Sequence, residues 1–375
     1  MSRLKLIRDA RFQEHLTPDM HPETPARLAA IDRVLSIEKK TLCFSELSPR
    51  HASEEELATI HSPAYIEDLY REHEKAVKHN CLVALDHETF MSPKTYDIAK
   101  LAAGAALVAI DAIAEPDTDC SFVAVRPPGH HALKDKAMGF CLFNNVAIAA
   151  EYARRKLGFK RIFIIDWDVH HGNGTQEIFY DDPSVFFTSM HQYPNWPPRS
   201  GWFKDDGKAF GQGFNLNIPL PKGTGDRGYL AAFDKLITPI CNQYKPDLIL
   251  LSAGYDAHKK DPLAEQNVST LGFAVLCQRI ADLRDSTGAK VVCLLEGGYN
   301  TEALSQSVVA TMRVLNSTSH EELASVHTSY IIPQAASLAN PMTDDRYPDS
   351  VDTRIDEIQK RFANYWKCFG SRAGK

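Results

Sequence analysis

The sequence predicts an α/β protein with a central parallel sheet flanked by helices. Two observations lead there. Five short apolar runs do not alternate with polar residues, which is how strands buried on both faces read. Stretches of helical period lie between them, and strand–helix–strand repetition builds parallel α/β architecture. With 375 residues, 44% hydrophobic and 24% charged, the chain can bury a large core. A single domain over 1–375 is expected.

In chain order the runs are SFVAV (121–125), RIFIID (161–166), SVFFTSM (184–190), DLILLSAG (247–254) and KVVCLLEGG (290–298). Val, Ile, Leu and Phe dominate each one. A helix is expected over 142–157, where Val146, Ala149, Ala150 and Ala153 are apolar. Others are expected over 226–244 and 269–285. Two stretches read as long loops: 191–213, rich in Pro, Gly and Trp, and 326–350. Loops of such length are often functional. The second reads as a surface wrap into a last helix, over 351–369, so that the C-terminal region spans 326–370.

A net charge of −6 without a long basic run argues against direct nucleic-acid binding through phosphates. It leaves room for a protein partner with a basic tail. The N-terminus lacks the apolar core of a signal peptide, and no apolar run approaches the ~20 residues of a membrane span. The eight cysteines are scattered without a C-x-x-C pair. Buried thiols in a reducing cytoplasm explain them best. Nothing in the sequence sets the oligomeric state, and a homo-oligomer is compatible with it.

In open parallel sheets ligands bind beyond the carboxyl ends of strands. There the chemistry concentrates. The first run leads into Arg126-Pro127-Pro128-Gly129-His130-His131, the second into Asp166-Trp167-Asp168-Val169-His170-His171-Gly172-Asn173. The fourth leads into Tyr255-Asp256-Ala257-His258 and the fifth into Tyr299. On an extended segment, Asp168 and His170 would point to the same side. With Asp256 they would form three ligands with an open fourth position, the pattern of catalytic zinc. The plainer reading, Asp168 capping a turn and His170 packed in a core, does not explain why Asp256 and two more histidines converge there. Water activated by a metal needs a base and the leaving group an acid. His130 and His131 can divide that work if each ring has its own partner. Asp166 and Asn173 are the candidate partners.

These residues carry a resemblance. RPPGHHA, GFCLFNNVAIAA, IDWDVHHGNGTQEIF, SAGYDAHKKDPLA and LEGGYN resemble the zinc-dependent histone deacetylase and acetylpolyamine amidohydrolase superfamily. HPETPARL (21–28) and IHSPAYI (60–66) resemble its other blocks, so the likeness runs over about 15–315. HHGNGTQ is similar to class II and bacterial members; class I has aspartate where this chain has Asn173.

The resemblance implies the arginase-deacetylase fold. It also implies Asp168, His170 and Asp256 as ligands of Zn(2+), with Fe(2+) as the alternative. His131 becomes the general base and acid, His130 with Asp166 an electrostatic and orienting pair, and Tyr299 the donor to the carbonyl oxygen. Gly139 and Phe140 resemble a wall of the acyl-lysine tunnel. Asp166, Asp168, His170 (backbone oxygen), Ser189 and Met190 match a site for K(+) or Na(+). The opposite aromatic wall is not identifiable within YPNWPPRSGWF. Leu263 stands where a polyamine-specific member has an acidic gatekeeper, which leans toward acyl-lysine. The expected activity is removal of an acyl group, most simply acetyl, from Nε-acyl-lysine in a protein or peptide. An acetylated polyamine is the second substrate. A catalytically weak acyl-lysine-binding module and a binuclear arginase-like hydrolase are the other readings. The latter would need a carboxylate at the position of Gly254.

Overall fold

In the computed structural model, residues 4–38, 41–317 and 350–370 are described. Their strands are β1 (Leu4–Ile7), β2 (Ser45–Leu47), β3 (Val83–Ala84), β4 (Phe90–Met91), β5 (Cys120–Val123), β6 (Ile162–Asp166), β7 (Val185–Gln192), β8 (Asn215–Leu220), β9 (Leu248–Ala253) and β10 (Lys290–Leu295). Eight form one parallel sheet in the order β2-β1-β5-β10-β9-β6-β7-β8, and β3 and β4 make a small antiparallel hairpin.

The five expected strands are present and almost wholly buried, which is why they lack alternation. Three sheet strands escape the sequence pattern. β2 (SEL) is a short, partly exposed edge. β1 (LKLI) is too short to stand out. β8 (NLNIPL) is buried but interrupted by Asn215, Asn217 and Pro219, and the proline is tolerated because β8 is the other edge.

The helix expected over 142–157 starts at Asn145, capped by the Asn144 side chain, and ends in a π turn, Ala153–Leu157. The one expected over 226–244 runs as Asp226–Ala232, a π turn at Phe233–Ile237 and Thr238–Tyr244. The third is Thr270–Thr287. Helices Ala26–Glu38, Pro63–His79 and Thr95–Ile113 were not expected. The last of these is buried nearly all round, so it has no polar face to mark it.

The helix Ser350–Phe362 buries Val351, Ile355, Ile358 and Phe362. It grips the segment after β7. Arg354 lies over the Trp202 ring, 4.2 Å from its centroid, Arg361 pairs with Asp206 at 2.6 Å, and Trp366 Nε1 donates to the Gly213 oxygen at 2.7 Å. The expected surface wrap before this helix, 326–349, lies outside the described residues.

Chain order fixes where the site falls. From β6 the chain moves outward through β7 to β8, then returns to lay β9 and β10 on the other side of β6. The carboxyl ends of neighbours β6 and β9 are therefore a point of reversal, where α/β sheets open a crevice for ligands.

Packing beneath the sheet is tight at Gly104 in the buried helix. A Cβ there would lie 1.8 Å from the Arg50 oxygen and 2.7 Å from the Ala52 nitrogen. Gly104→Ala gains ~1 kcal/mol in helix propensity, but it must push the helix away from the 50–52 backbone at a cost of about 1–3 kcal/mol. A lower urea midpoint at unchanged m-value is expected. A higher midpoint would show that the contact yields freely.

Candidate active site

β6 ends at Asp166, and the chain then bends instead of continuing as the extended segment expected for Asp168 and His170. Carboxylates shape the bend. Asp166 Oδ1 accepts from Asp168 N at 3.1 Å, and Asp168 Oδ1 from His170 N at 2.9 Å. The bend still brings Asp168 and His170 together with Asp256, which follows β9. Ligand atoms of the three lie within 4.8 Å of one another, and all three residues are buried. His170 Nδ1 is 3.2 Å from Asp168 Oδ1 and 3.1 Å from Asp256 Oδ2. Backbone donors hold each carboxylate: Gly297 N to Asp168 Oδ2, and Val169 N to Asp256 Oδ1, both at 2.8 Å.

Two buried carboxylates sharing one imidazole are costly unless a cation compensates them. Burial opposes charge on His170, yet the hydrogen bonds and charges of Asp168 and Asp256 raise its pKa to about 10. The two carboxylates thus favour positive charge at this point. Two oxygens and one imidazole nitrogen suit a divalent transition metal with a position left open. The cradle is built from glycine: a Cβ at Gly254 would lie 2.0 Å from Asp168 Oδ2, and one at Gly297 2.1 Å from Asp256 Oδ2. The carboxylate of a binuclear site has no room at Gly254.

The two adjacent histidines have the unequal partners expected of them. His130 Nδ1 lies 2.9 Å from Asp166 Oδ2, and His131 Nδ1 lies 2.8 Å from Asn173 Oδ1. Their rings are 3.8 Å apart. Burial works against a charged His130, but the charges of Asp166 and Asp168 outweigh it and raise its pKa to about 10. Burial and the cationic neighbours His130 and His170 push His131 well down. The two rings are thus pushed in opposite directions, His130 toward the charged form and His131 toward the neutral one.

Residues that sequence reasoning missed hold this pair. The buried Glu296 carboxylate accepts from Gly129 N (2.7 Å), His130 N (3.2 Å) and Ser252 Oγ (3.1 Å), joining the ends of three strands. Glu23 bridges Arg27 and Arg126, and all three are fully buried. Arg27 Nε donates to the Gly298 oxygen at 2.7 Å, and its guanidinium lies 5.1 Å from the Tyr299 ring centroid. Glu23 and Arg27 stand four apart within HPETPARL, and Glu296 within LEGGY, but nothing in their spacing says that they are buried.

A cavity of about 370 Å³ opens beside His170. His131, His170 and Tyr299 line it, with Phe140 and Trp196 as aromatic walls. Phe140 meets Tyr299 edge-on at 5.9 Å, and Trp196 meets His131 edge-on at 4.6 Å. Trp196 is therefore the wall that the sequence left open. Gly139 is flush between them: at φ +59°, its Cβ would lie 2.4 Å from His131 Cδ2 and 2.6 Å from Trp196 Cη2. Leu263, which is exposed, lies at the mouth as expected, together with His87 and Glu88 from the β3–β4 hairpin. Burial and the Asp86 charge raise the Glu88 pKa. Ser189 pairs in register with Asp166, its hydroxyl 2.9 Å from His191 Nδ1, and Met190 is buried beside it.

This geometry is that of a hydrolase with a narrow apolar slot, and similarity to known proteins agrees. The histone deacetylase domain matches residues 21–315. Histone deacetylase 10, chloroplastic, of Oryza sativa subsp. japonica is 40% identical over 329 residues, which cover 82% of this chain and 74% of that protein. The probable deacetylase of Archaeoglobus fulgidus is 33% identical over 368 residues, 96% of this chain and 97% of that one. The polyamine deacetylase HDAC10 of Homo sapiens is 41% identical over 307 residues, 80% of this chain and 45% of that protein. Among solved structures, the HDA15 HD domain superposes with a TM-score of 0.85 at 30% identity, covering 98% of each chain. The chain belongs to the histone deacetylase family. It is a deacetylase, in a family generally dependent on zinc. Among the described residues, no helix is long and apolar enough to cross a membrane.

The three candidate ligands and the closed position at Gly254 predict one metal ion per chain. Elemental analysis of desalted protein should find about one transition-metal equivalent, and Asp256→Ala should lose it. Two tightly held equivalents would contradict the arrangement.

Proposed function

We propose that this deacetylase removes acetyl groups from Nε-acetyl-lysine in proteins or peptides. The observation that carries this reading is a histidine pair with unequal partners, Asp166 on His130 and Asn173 on His131, at the foot of an apolar slot, beside Asp168, His170 and Asp256. A neutral amide on an aliphatic stem suits walls made by Phe140, Trp196 and Gly139. Asp168, His170 and Asp256 would hold zinc, which when bound would supply Lewis acidity toward the amide carbonyl and toward water. Asp166, Asp168, the His170 backbone oxygen, Ser189 and Met190 would hold a potassium or sodium ion beneath.

His131, kept neutral, takes a proton from the attacking water through Nε2, while its Nδ1 stays hydrogen-bonded to Asn173. The Tyr299 hydroxyl donates to the carbonyl oxygen and strengthens that bond as charge develops. It keeps its proton because burial and the Asp256 charge raise its pKa well above the usual phenol value. His130 stays charged against Asp166 and steadies the negative charge. His131 then returns the proton to the leaving nitrogen: a C–O bond has formed, the C–N bond breaks, and acetate and the free amine result. Five of the eight cysteines are buried, which supports the cytoplasm as the compartment.

A second reading, an acetylated polyamine as substrate, is favoured by Glu88, a carboxylate at the mouth. Leu263 weighs against it. The experiment is a turnover panel. kcat/KM should be higher for acetyl-lysine peptides than for N8-acetylspermidine, and Leu263→Glu should shift the ratio toward the polyamine, because a carboxylate there attracts a distal ammonium. A wild-type preference for the polyamine would replace the first substrate with the second. Tyr299→Phe should lower kcat by about 10²–10³-fold with metal retained.

Asn173→Asp gives His131 a carboxylate partner and so raises its pKa. Activity needs His131 neutral, so the acidic limb of the kcat/KM profile should move to higher pH. A limb that stays or moves down would rule out His131 as the base or Asn173 as its partner.

A further inference from the structure

The Tyr299 loop needs external support. Residues 296–300 have no regular structure, and Gly298 sits at φ +118°, a conformation that glycine adopts freely. From one side Asp168 and Arg27 hold Gly297 and Gly298. The other side is held by a residue that plays no role in the mechanism above.

That residue is Asp261, 8% exposed. Its Oδ1 accepts from Leu263 N at 3.0 Å, an ordinary local turn. Its Oδ2 accepts from Tyr299 N at 2.7 Å and Asn300 N at 3.3 Å, 38 and 39 positions away. Among the described residues no Lys, Arg or His lies within ion-pair distance of it. Burial and the Asp256 charge raise its pKa to about 7, so the carboxylate is retained at a cost. A carboxylate is the side chain whose two oxygens both accept; an amide presents NH₂ to one set of backbone donors. Asn300 then caps the next helix through Ala303 N at 3.0 Å, so the peptide that Asp261 holds is also the start of a rigid element.

We propose that Asp261 is a positioning residue for Tyr299, fixing the backbone that aims the phenol and tying it to the Leu263 rim of the slot. The inference rests on the role of Tyr299 proposed above. Displacing a catalytic group by about 1 Å can cost on the order of 10²-fold.

The experiment is a double-mutant cycle on the metal-loaded enzyme with an acetyl-lysine peptide. Asp261→Asn should lower kcat by about 10- to 100-fold, with little change in KM or metal content. In the Tyr299→Phe background the same substitution should change kcat less than about twofold, since the hydroxyl it serves is gone. An equal loss in both backgrounds, a loss of metal, or no loss in the wild type would each overturn the proposal. A near-normal kcat for Tyr299→Phe alone would overturn the role of Tyr299 itself, a result read without any Asp261 variant. Should Asp261→Asn fail to fold, Asp261→Ser, which is smaller and offers one oxygen, carries the same comparison.

Discussion

The site depends on one buried carboxylate. Asp168 has its oxygens committed in three directions: to the backbone and ring of His170, to Gly297 N before the tyrosine, and, more distantly, to His130 Nε2 at 3.9 Å. Through these contacts the metal ligands, the histidine pair and the tyrosine loop share a single reference point. Low-dielectric surroundings make each contact strong and leave any unpaired charge costly. The fold meets that constraint by bringing the ends of β5, β6, β9 and β10 together, so that backbone N–H groups and imidazoles face the carboxylates.

Around this centre lies a second, separate arrangement of buried charge. Glu23 and Arg27 come from the N-terminal segment, Arg126 follows β5, and Glu296 follows β10. They touch no ligand atom of the metal. They fix backbone: Arg27 the Gly298 carbonyl, Glu296 the amides of Gly129 and His130, Arg126 the carbonyls of Phe12 and His15. The division explains how glycine-rich turns can carry catalytic groups. Glycine lets the backbone approach Asp168 and Asp256 closely, and buried ion pairs remove the freedom that glycine brings.

The slot is less integral to the sheet. Its Trp196 wall stands in the segment after β7, and that segment is held from outside by Arg354, Arg361 and Trp366. Its rim is shared by the β3–β4 hairpin and by the turn carrying Leu263. The buried carboxylate and histidine cluster thus sits on strand ends, and the walls and rim of the slot on connections, the parts of a fold that vary most freely.

The sequence by itself determined the parallel sheet, because strands buried on both faces read as unbroken apolar runs. It also picked out Asp168, His170 and Asp256, which the fold brings together, and the two histidines with their partners, because these residues stand within a few positions of a strand end. The bend after Asp166, the short strands β1 and β2, the polar edge strand β8 and the almost wholly buried helix Thr95–Ile113 left no periodic signal, so packing decided them. Tertiary structure alone decided which aromatic faces the slot, where Glu88 stands, and that Asp261, Glu296 and Arg27 turn inward to bond backbone far along the chain. A buried charge and a surface charge are the same letter in a sequence, and only the partner across space tells them apart.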